Sequence, residues 1–416
     1  MPFIIPADAR TWVPVPEGSH FPIQNLPFGL CCGEEDTESV VVRIGDHVVD
    51  LGALAACGVI PEDDYPILHS FIDLDRDDVR RLRQLVYELL REDNPVLRDN
   101  KELCEDAIIP IERVEMMVPV EIPAFVDFYS GIHHASNVGK MFRPDMPPLL
   151  PNYRHLPVGY NGRASSVIPT DVMVRRPKGQ TKGADAETPE FGPTRELDFE
   201  LELGFFLAEG NALGEPIPIA EAEDHMLGVV LVNDWSARDV QRWEYQPLGP
   251  FLAKSFATSI SPWIVTLDAL EPFRTQGPAQ DPEPLPHLRP EKPGHFDIQL
   301  EVAIKTEAMT KPQVISRTNA RHLYWCFSQQ LAHQTSNGTN TEPGDLYASG
   351  TISGPDEGSF GSLLELSWRG SKPLRMEETG EERTFLEDGD TVIITGWCER
   401  DGIRVGFGEL RNTVVG

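Results

Sequence analysis

Long apolar runs are missing from this 416-residue chain. The most apolar uncharged stretch, 51–61, falls far short of the ~20 residues that cross a bilayer, so a soluble chain with no membrane partner is expected. Residues 1–16 hold prolines and Asp8 rather than an apolar segment behind basic residues, and no secretory leader is expected. Basic residues are scarce too: 36 Lys and Arg stand against 66 Asp and Glu, a formal net charge of −30. Such a field repels phosphate backbones and anionic lipids, which argues against nucleic acid as a partner. It also repels small anions, so a site for an acidic substrate needs its own local positive charge. Cysteines are few, at 31, 32, 57, 104, 326 and 398. None form C-x-x-C, and a chain of this size needs no covalent staples. Free thiols and a cytoplasmic location are the expectation.

Several well-known signatures are also absent. There is no P-loop and no H-E-x-x-H. Gly406-Phe407-Gly408 lacks the third glycine of a dinucleotide fingerprint. In Gly350-Thr351-Ile352-Ser353-Gly354 the serine is not central, so this is no nucleophile elbow. Asp73-x-Asp75-x-Asp77 imitates a calcium loop, but Asp78 stands where that loop needs Gly and Gln84 where it needs Glu. It reads as a helix start.

What is present is globular material: 40% hydrophobic and 25% charged residues. At roughly 100–200 residues per domain, two large domains are favoured. The 37 prolines and 34 glycines cut the chain into short runs that read mainly as strands. Strand-like pieces at 39–44 and 47–51, separated by Gly45-Asp46, predict a hairpin. Asp75 is a plausible N-cap for a helix with Val79, Leu82, Leu85, Val86, Leu89 and Leu90 on one face, and Pro95 is expected to stop it. The acid- and proline-rich segment 112–123 reads as a domain junction. Beyond it, strands are predicted at 198–206, 226–232, 297–305, 363–368, 391–397 and 403–407. One long helix is predicted from 319 to about 336, with Gly338 as its C-terminal cap. Segments 178–193 and 278–293 read as surface loops.

Three clusters could carry chemistry. In Leu197-Asp198-Phe199-Glu200-Leu201-Glu202-Leu203 the alternation is strict. As a strand, it turns the odd positions to the core and lines three acids along the other face, about 6.6–6.8 Å apart. Three like charges on one face are either solvated or bridged by a cation, and the run alone leaves both open. The apolar run that ends at Asn233-Asp234-Trp235-Ser236 and turns into a short helix puts Asp234 at a ligand or helix-capping position. The third cluster is Asp127-Phe128-Tyr129-Ser130-Gly131-Ile132-His133-His134. With acids as the available partners and no nearby cysteine, Ca²⁺ or Mg²⁺ is favoured over zinc, which leaves a histidine there as a base or as a structural residue.

These segments resemble a known family. Asp127-Phe128-Tyr129-Ser130, His134-Ala135-Ser136-Asn137-Val138-Gly139 and Met141-Phe142-Arg143 are similar to the fumarylacetoacetase (fumarylacetoacetate hydrolase) family. So are Leu156-Pro157-Val158-Gly159-Tyr160, Asn233-Asp234-Trp235-Ser236-Ala237-Arg238-Asp239, Pro247-Leu248-Gly249-Pro250-Phe251-Leu252 and Ala348-Ser349-Gly350-Thr351. The likeness extends to Phe21-Pro22-Ile23-Gln24-Asn25-Leu26-Pro27 and covers nearly the whole chain in order. It implies a mainly β fold with some α: a small N-terminal SH3-like barrel at 1–118 and a larger mixed β-roll catalytic domain at 119–416, assembled as a homodimer. It also implies hydrolysis of a carbon–carbon bond of 4-fumarylacetoacetate, a small diketo acid, to fumarate and acetoacetate, late in tyrosine and phenylalanine breakdown.

By position, the resemblance makes Asp127, Glu200, Glu202 and Asp234 ligands of Ca²⁺. Asp234, Lys254 and Thr258 match a second, Mg²⁺ site, where Lys254 could offer only its carbonyl. Asp198 matches no ligand. His134 matches the general base and Glu365 the acid that orients it. Arg238, Gln241 and Lys254 match the oxyanion-stabilising group; Tyr129, Arg143, Tyr160, Gln241, Tyr245 and Thr351 match substrate contacts. Two departures stand out. Ala257 replaces a usual glycine, which would strain a backbone needing positive φ, and the tandem His133-His134 offers two imidazoles. The rival on the same fold is an acylpyruvate hydrolase, decarboxylase or hydratase; the N-terminal domain and Tyr245 disfavour it. An inert calcium-binding scaffold would be expected to lack His134, Glu365 or Lys254, and all three are present.

Overall fold

The structure is a computed structural model describing residues 2–33, 38–61 and 75–416, so Met1 and Asp73 of the calcium-loop lookalike lie outside the described residues. The N-terminal part is an antiparallel five-stranded sheet in the spatial order Ile108–Pro110, His47–Asp50, Glu38–Ile44, Phe28–Cys32, Glu115–Met116. The expected hairpin is there, with Gly45 at φ +52°. A Cβ at that position would also lie 2.6 Å from the Pro14 carbonyl oxygen, so only glycine fits. The segment 112–123, expected to be a junction, begins inside this sheet, because Glu115 and Met116 pair with Cys32 and Cys31.

The helix spans Arg76–Leu90, with the Asp75 carboxylate accepting the Asp78 N–H as cap. Pro95 does not stop it. The chain turns extended at Arg91 while Trp12 donates to the Leu89 and Leu90 carbonyls, and Pro95 opens the next short helix, Pro95–Arg98. On this helix Arg83 is fully buried and donates to three backbone carbonyls, those of Asn25, Phe3 and Gln24. Burial lowers its pKa to about 10. Arg83→Met strips all three carbonyls of their donor and is expected to destabilise the protein by about 3 kcal/mol, read by denaturant unfolding.

The C-terminal part holds two larger sheets. One runs Gly159–Asn161, Phe125–Phe128, Leu346–Ala348, Leu201–Leu207, Met226–Asp234, Thr258–Ile260, Val167–Pro169; the other runs Gln313–Asn319, Gln299–Lys305, Thr391–Arg400, Ile403–Val415, Val174–Arg175. Leu203, Phe205 and Leu231 pack toward Leu300, Ile394 and Phe407 of the second sheet. Phe206, Val230 and Val232, one residue out of phase, pack against the N-terminal core of Phe28, Val42 and Leu90. The seven-stranded sheet is therefore covered on both faces. That corrects the option of a solvated acidic face at 198–202: the alternation holds, but all three acids are buried. Nor is 198–206 one strand. It divides into Leu197–Asp198, paired with Ser236–Ala237, and Leu201–Leu207.

Other elements differ from expectation. Segment 363–368 is not a strand but begins with the helix Leu363–Leu366, capped by Ser362, whose hydroxyl accepts the Glu365 N–H. A four-residue run with three leucines fits either period, and the cap decides it. The long helix at 319–336 is instead strand to Asn319, a 3₁₀ turn at Ala320–His322 and a helix at Phe327–Thr335. Asn319 pairs with Gln299 and its side chain accepts the Arg321 N–H, which ends the strand there. Gly338, at φ +85°, closes the turn two residues past the helix cap Ser336. Segment 178–193 contains a hairpin, Lys178–Thr181 with Glu190–Pro193. The remaining predicted strands exist with shifted ends. All six cysteines are free thiols, and among the described residues no helix is long and apolar enough to cross a membrane.

Candidate active site

Three strand ends and one strand break build the acidic part of the site. Asp127 lies near the end of Phe125–Phe128, Glu202 near the start of Leu201–Leu207, and Asp234 ends Met226–Asp234. Glu200 sits in the break before Leu201, bridged to Ser362. One oxygen from each of these four acids lies within 4.8 Å of all the others, and all four residues are buried. The cluster is unevenly compensated. Lys254 Nζ donates to Glu200 and, at 2.7 Å, to Asp234. Tyr160 and Thr258 also donate to Asp234, at 2.9 and 2.8 Å. Arg238 reaches Glu200 at 2.6 Å. Glu202 accepts the Gly350 N–H, at 3.0 Å, while its second oxygen and Asp127 Oδ1 are buried with no donor among the described residues.

The charges respond accordingly. Burial, then the neighbouring Asp234, raises Asp127 well above the carboxylate range. Burial, then Asp127, does the same to Glu202. Burial opposes the charge of Glu200, but Lys254 and Arg238 outweigh it and hold that carboxyl low. A cage of hard oxygens with two buried atoms lacking donors, and two acids unable to shed protons cheaply, fits a divalent cation.

Beside the cage, His134 Nδ1 meets Glu365 Oε2 at 2.6 Å, and His134 Nε2 lies 4.0 Å from Glu200. A carboxylate on Nδ1 fixes the proton there and leaves Nε2 as the free base. Glu365 is buried and also accepts from Asn137, Ser353 and Ser362, each at 2.9 Å. Burial opposes its charge, yet His134 and these donors keep it below its usual value. His133 points elsewhere, half-buried and edge-to-face with His322.

A cavity of about 500 Å³ is lined by Tyr129, Arg143, Tyr160, Gln241, Tyr245 and Thr351, every residue expected to touch substrate. His134, Arg238, Lys254, Asp127, Glu200 and Glu202 share that lining, whereas Asp234, Thr258 and Glu365 stand behind it. Arg143 Nε and one terminal nitrogen of Arg238 are buried there without partners among the described residues, which supplies the local positive charge that the acidic chain otherwise lacks. Ala257 is buried and is not among the described residues with positive φ, so alanine imposes no strain. The sequence reading missed Asn137, Ser353 and Ser362. Only Asn137, one helical turn after His134, left a signal in the spacing.

A buried imidazole–carboxylate pair facing a four-carboxylate cage and an arginine-lined cavity defines a hydrolase acting on a small molecule. The comparisons name the family. The model "Fumarylacetoacetate (FAA) hydrolase C-terminal" matches residues 124–415, and "Fumarylacetoacetase N-terminal" matches 24–119. The chain is 48% identical over 413 residues to fumarylacetoacetase of Rattus norvegicus, spanning 97% of this chain and 98% of that one. The Homo sapiens fumarylacetoacetase gives the same identity and coverage. That of Arabidopsis thaliana is 46% identical over 415 residues, 98% of each chain. Among solved structures, a fumarylacetoacetate hydrolase from psychrophilic Exiguobacterium antarcticum aligns with a TM-score of 0.53 at 16% identity, covering 94% of this chain and 99% of that one, a likeness of fold. The chain belongs to the fumarylacetoacetate hydrolase family, and it is a mainly β hydrolase.

Proposed function

We propose that the enzyme hydrolyses 4-fumarylacetoacetate to fumarate and acetoacetate, in the breakdown of tyrosine and phenylalanine. The observation that carries this reading is the His134–Glu365 pair, 2.6 Å apart, set against the four-carboxylate cage inside one cavity. His134 Nε2 takes a proton from water, and the water oxygen bonds to the substrate carbonyl carbon. Glu365 holds Nδ1–H and stabilises the imidazolium, the division of labour of a catalytic triad with water in place of serine. Arg238, Gln241 and Lys254 donate to the developing oxyanion, and such donors are worth about 3–4 kcal/mol each. The carbon–carbon bond then breaks, its electron pair leaves on the acetoacetate enolate, and a proton returns to carbon. Tyr129, Arg143, Tyr160, Tyr245 and Thr351 orient the diketo acid.

Asp127, Glu200, Glu202 and Asp234 would hold Ca²⁺ or Mg²⁺, which when bound supplies Lewis-acid stabilisation of negative charge on oxygen. A second Mg²⁺ at Asp234, Lys254 and Thr258 would use the Lys254 carbonyl, since its ammonium donates to Asp234. The reading includes a division at 1–118 and 119–416, supported by the sheet that closes with Glu115–Met116. It also includes a cytoplasmic homodimer.

A substrate panel tests it. The kcat/KM for fumarylacetoacetate is expected to exceed that for acylpyruvates and oxaloacetate by at least about tenfold. Preference for an acylpyruvate or for oxaloacetate would refute the substrate assignment.

A further inference from the structure

We propose that Asp198 is a positioning residue that locks Arg238 and the Glu365-bearing turn into one geometry; the inference deepens the hydrolytic reading above and rests on it. Asp198 is fully buried. Three N–H donors from two distant segments converge on its carboxylate. Arg238 Nε reaches Oδ2 at 2.8 Å, the Leu364 N–H reaches the same oxygen at 3.0 Å, and the Leu363 N–H reaches Oδ1 at 2.7 Å. Leu363 and Leu364 open the short helix Leu363–Leu366, whose first N–H groups have no partner within the helix. Glu365 is the next residue. The position of its carboxylate against His134 therefore depends on where Asp198 holds this turn.

The second arm is Arg238. With Nε tied to Asp198 and one terminal nitrogen to Glu200 and, at 3.3 Å, to Gln241, the planar guanidinium is fixed through two of its nitrogens. Its other terminal nitrogen is buried without a partner among the described residues, and the residue lines the cavity. Losing Asp198 would leave the guanidinium held through one terminal nitrogen alone, on Glu200 and Gln241, and the free nitrogen would lose its aim.

Asp198 does not share the work of the cage. Among the described residues the metal-competent cluster is the other four acids, and the Asp198 oxygens are already taken by N–H donors. The strand break separates the two roles. Asp198 pairs with Ser236 just before the turn to Arg238, whereas Glu200, two residues on, bridges to Ser362 and enters the cage. One carboxylate thus joins the group meeting the oxyanion to the group orienting the base.

The test is Asp198→Asn, which keeps the shape but sets one oxygen and one NH₂ where three donors meet, so that one donor must turn away. Activity is read on whichever diketo acid the wild type cleaves and normalised to the calorimetric stoichiometry of Ca²⁺ binding. The kcat is expected to fall on the order of 10²-fold, with KM and Ca²⁺ affinity each within about threefold of wild type. Combined with Arg238→Gln or with Glu365→Gln, the losses should fail to multiply, because either single change already breaks the assembly. Asp198→Ser, which leaves a hydroxyl and a small space instead of a misdirected amide, is expected to show the same losses and serves if the asparagine variant does not fold. An unchanged kcat, losses that multiply fully with both partners, or Ca²⁺ affinity falling in step with kcat would each overturn the inference. A shift in which substrate the wild type prefers strikes the substrate reading alone, since the variant is always compared on the same substrate.

Discussion

Replacing His134 with alanine is expected to lower kcat by about 10³-fold or more, the scale on which a positioned general base acts, while leaving Ca²⁺ affinity close to wild type. The separation follows from geometry. His134 Nε2 lies 4.0 Å from Glu200, near the cage but outside it, and its Nδ1 is held by Glu365 at 2.6 Å. His133→Ala is the control, expected to change kcat by less than about threefold, since that ring packs against His322 and lies outside the cavity lining. Steady-state kinetics of both variants, with Ca²⁺ affinity by calorimetry, decide the matter. If His133→Ala is inactive and His134→Ala is not, the base has been assigned to the wrong imidazole.

Removal of the cation should produce the second large effect, with a sign that distinguishes a cage from a structural salt-bridge cluster. Among the described residues, four buried carboxylates face one lysine and one arginine, and neither Asp127 nor Glu202 has a basic hydrogen-bond partner. Chelation should therefore abolish activity and lower the unfolding temperature, with Ca²⁺ or Mg²⁺ restoring both. At 100 times its dissociation constant the cation adds about 2.7 kcal/mol of stability. Glu202→Gln should invert part of this pattern. It removes a carboxyl that burial and Asp127 disfavour in its charged form, and with it the cost of holding that group protonated or charged, so the chelated variant is expected to melt above chelated wild type. The same cation concentration should then restore less than about 1 kcal/mol. Activity should fall on the order of 10²-fold or more, the equivalent of several kcal/mol of charge stabilisation. Thermal melts with and without chelator give both signs. A chelated Glu202→Gln protein less stable than chelated wild type would mean that the carboxylate is held by hydrogen bonds rather than strained by its neighbours.

The pattern of elements shows which parts of the site were legible from local chemistry. The alternation 197–203 reported its own parity correctly, because successive side chains of an extended backbone must point to opposite sides. The hairpin at Gly45 and the cap at Asp75 were likewise readable, since each depends on a few consecutive residues. Segment 363–368 was misread because four apolar-rich residues satisfy both periods, and what selects helix is the Ser362 hydroxyl on the Glu365 N–H. The helix expected at 319–336 failed for a related reason: pairing of Asn319 with Gln299 extends a strand into a segment that by itself reads as helical.

Net acidity, few cysteines, a strand-rich chain and a row of acids at 198, 200 and 202 follow from composition and covalent geometry, and no folding is needed to state them. The division of labour among those acids does not follow. Asp198, Glu200 and Glu202 are equivalent in the alternation, yet one gathers N–H donors while the other two join the cage. His133 and His134 are neighbours, yet only one meets Glu365, a residue 231 positions along the chain. Such outcomes depend on sheet register and on which distant segment supplies donors or charge, and these are set only when the whole core closes.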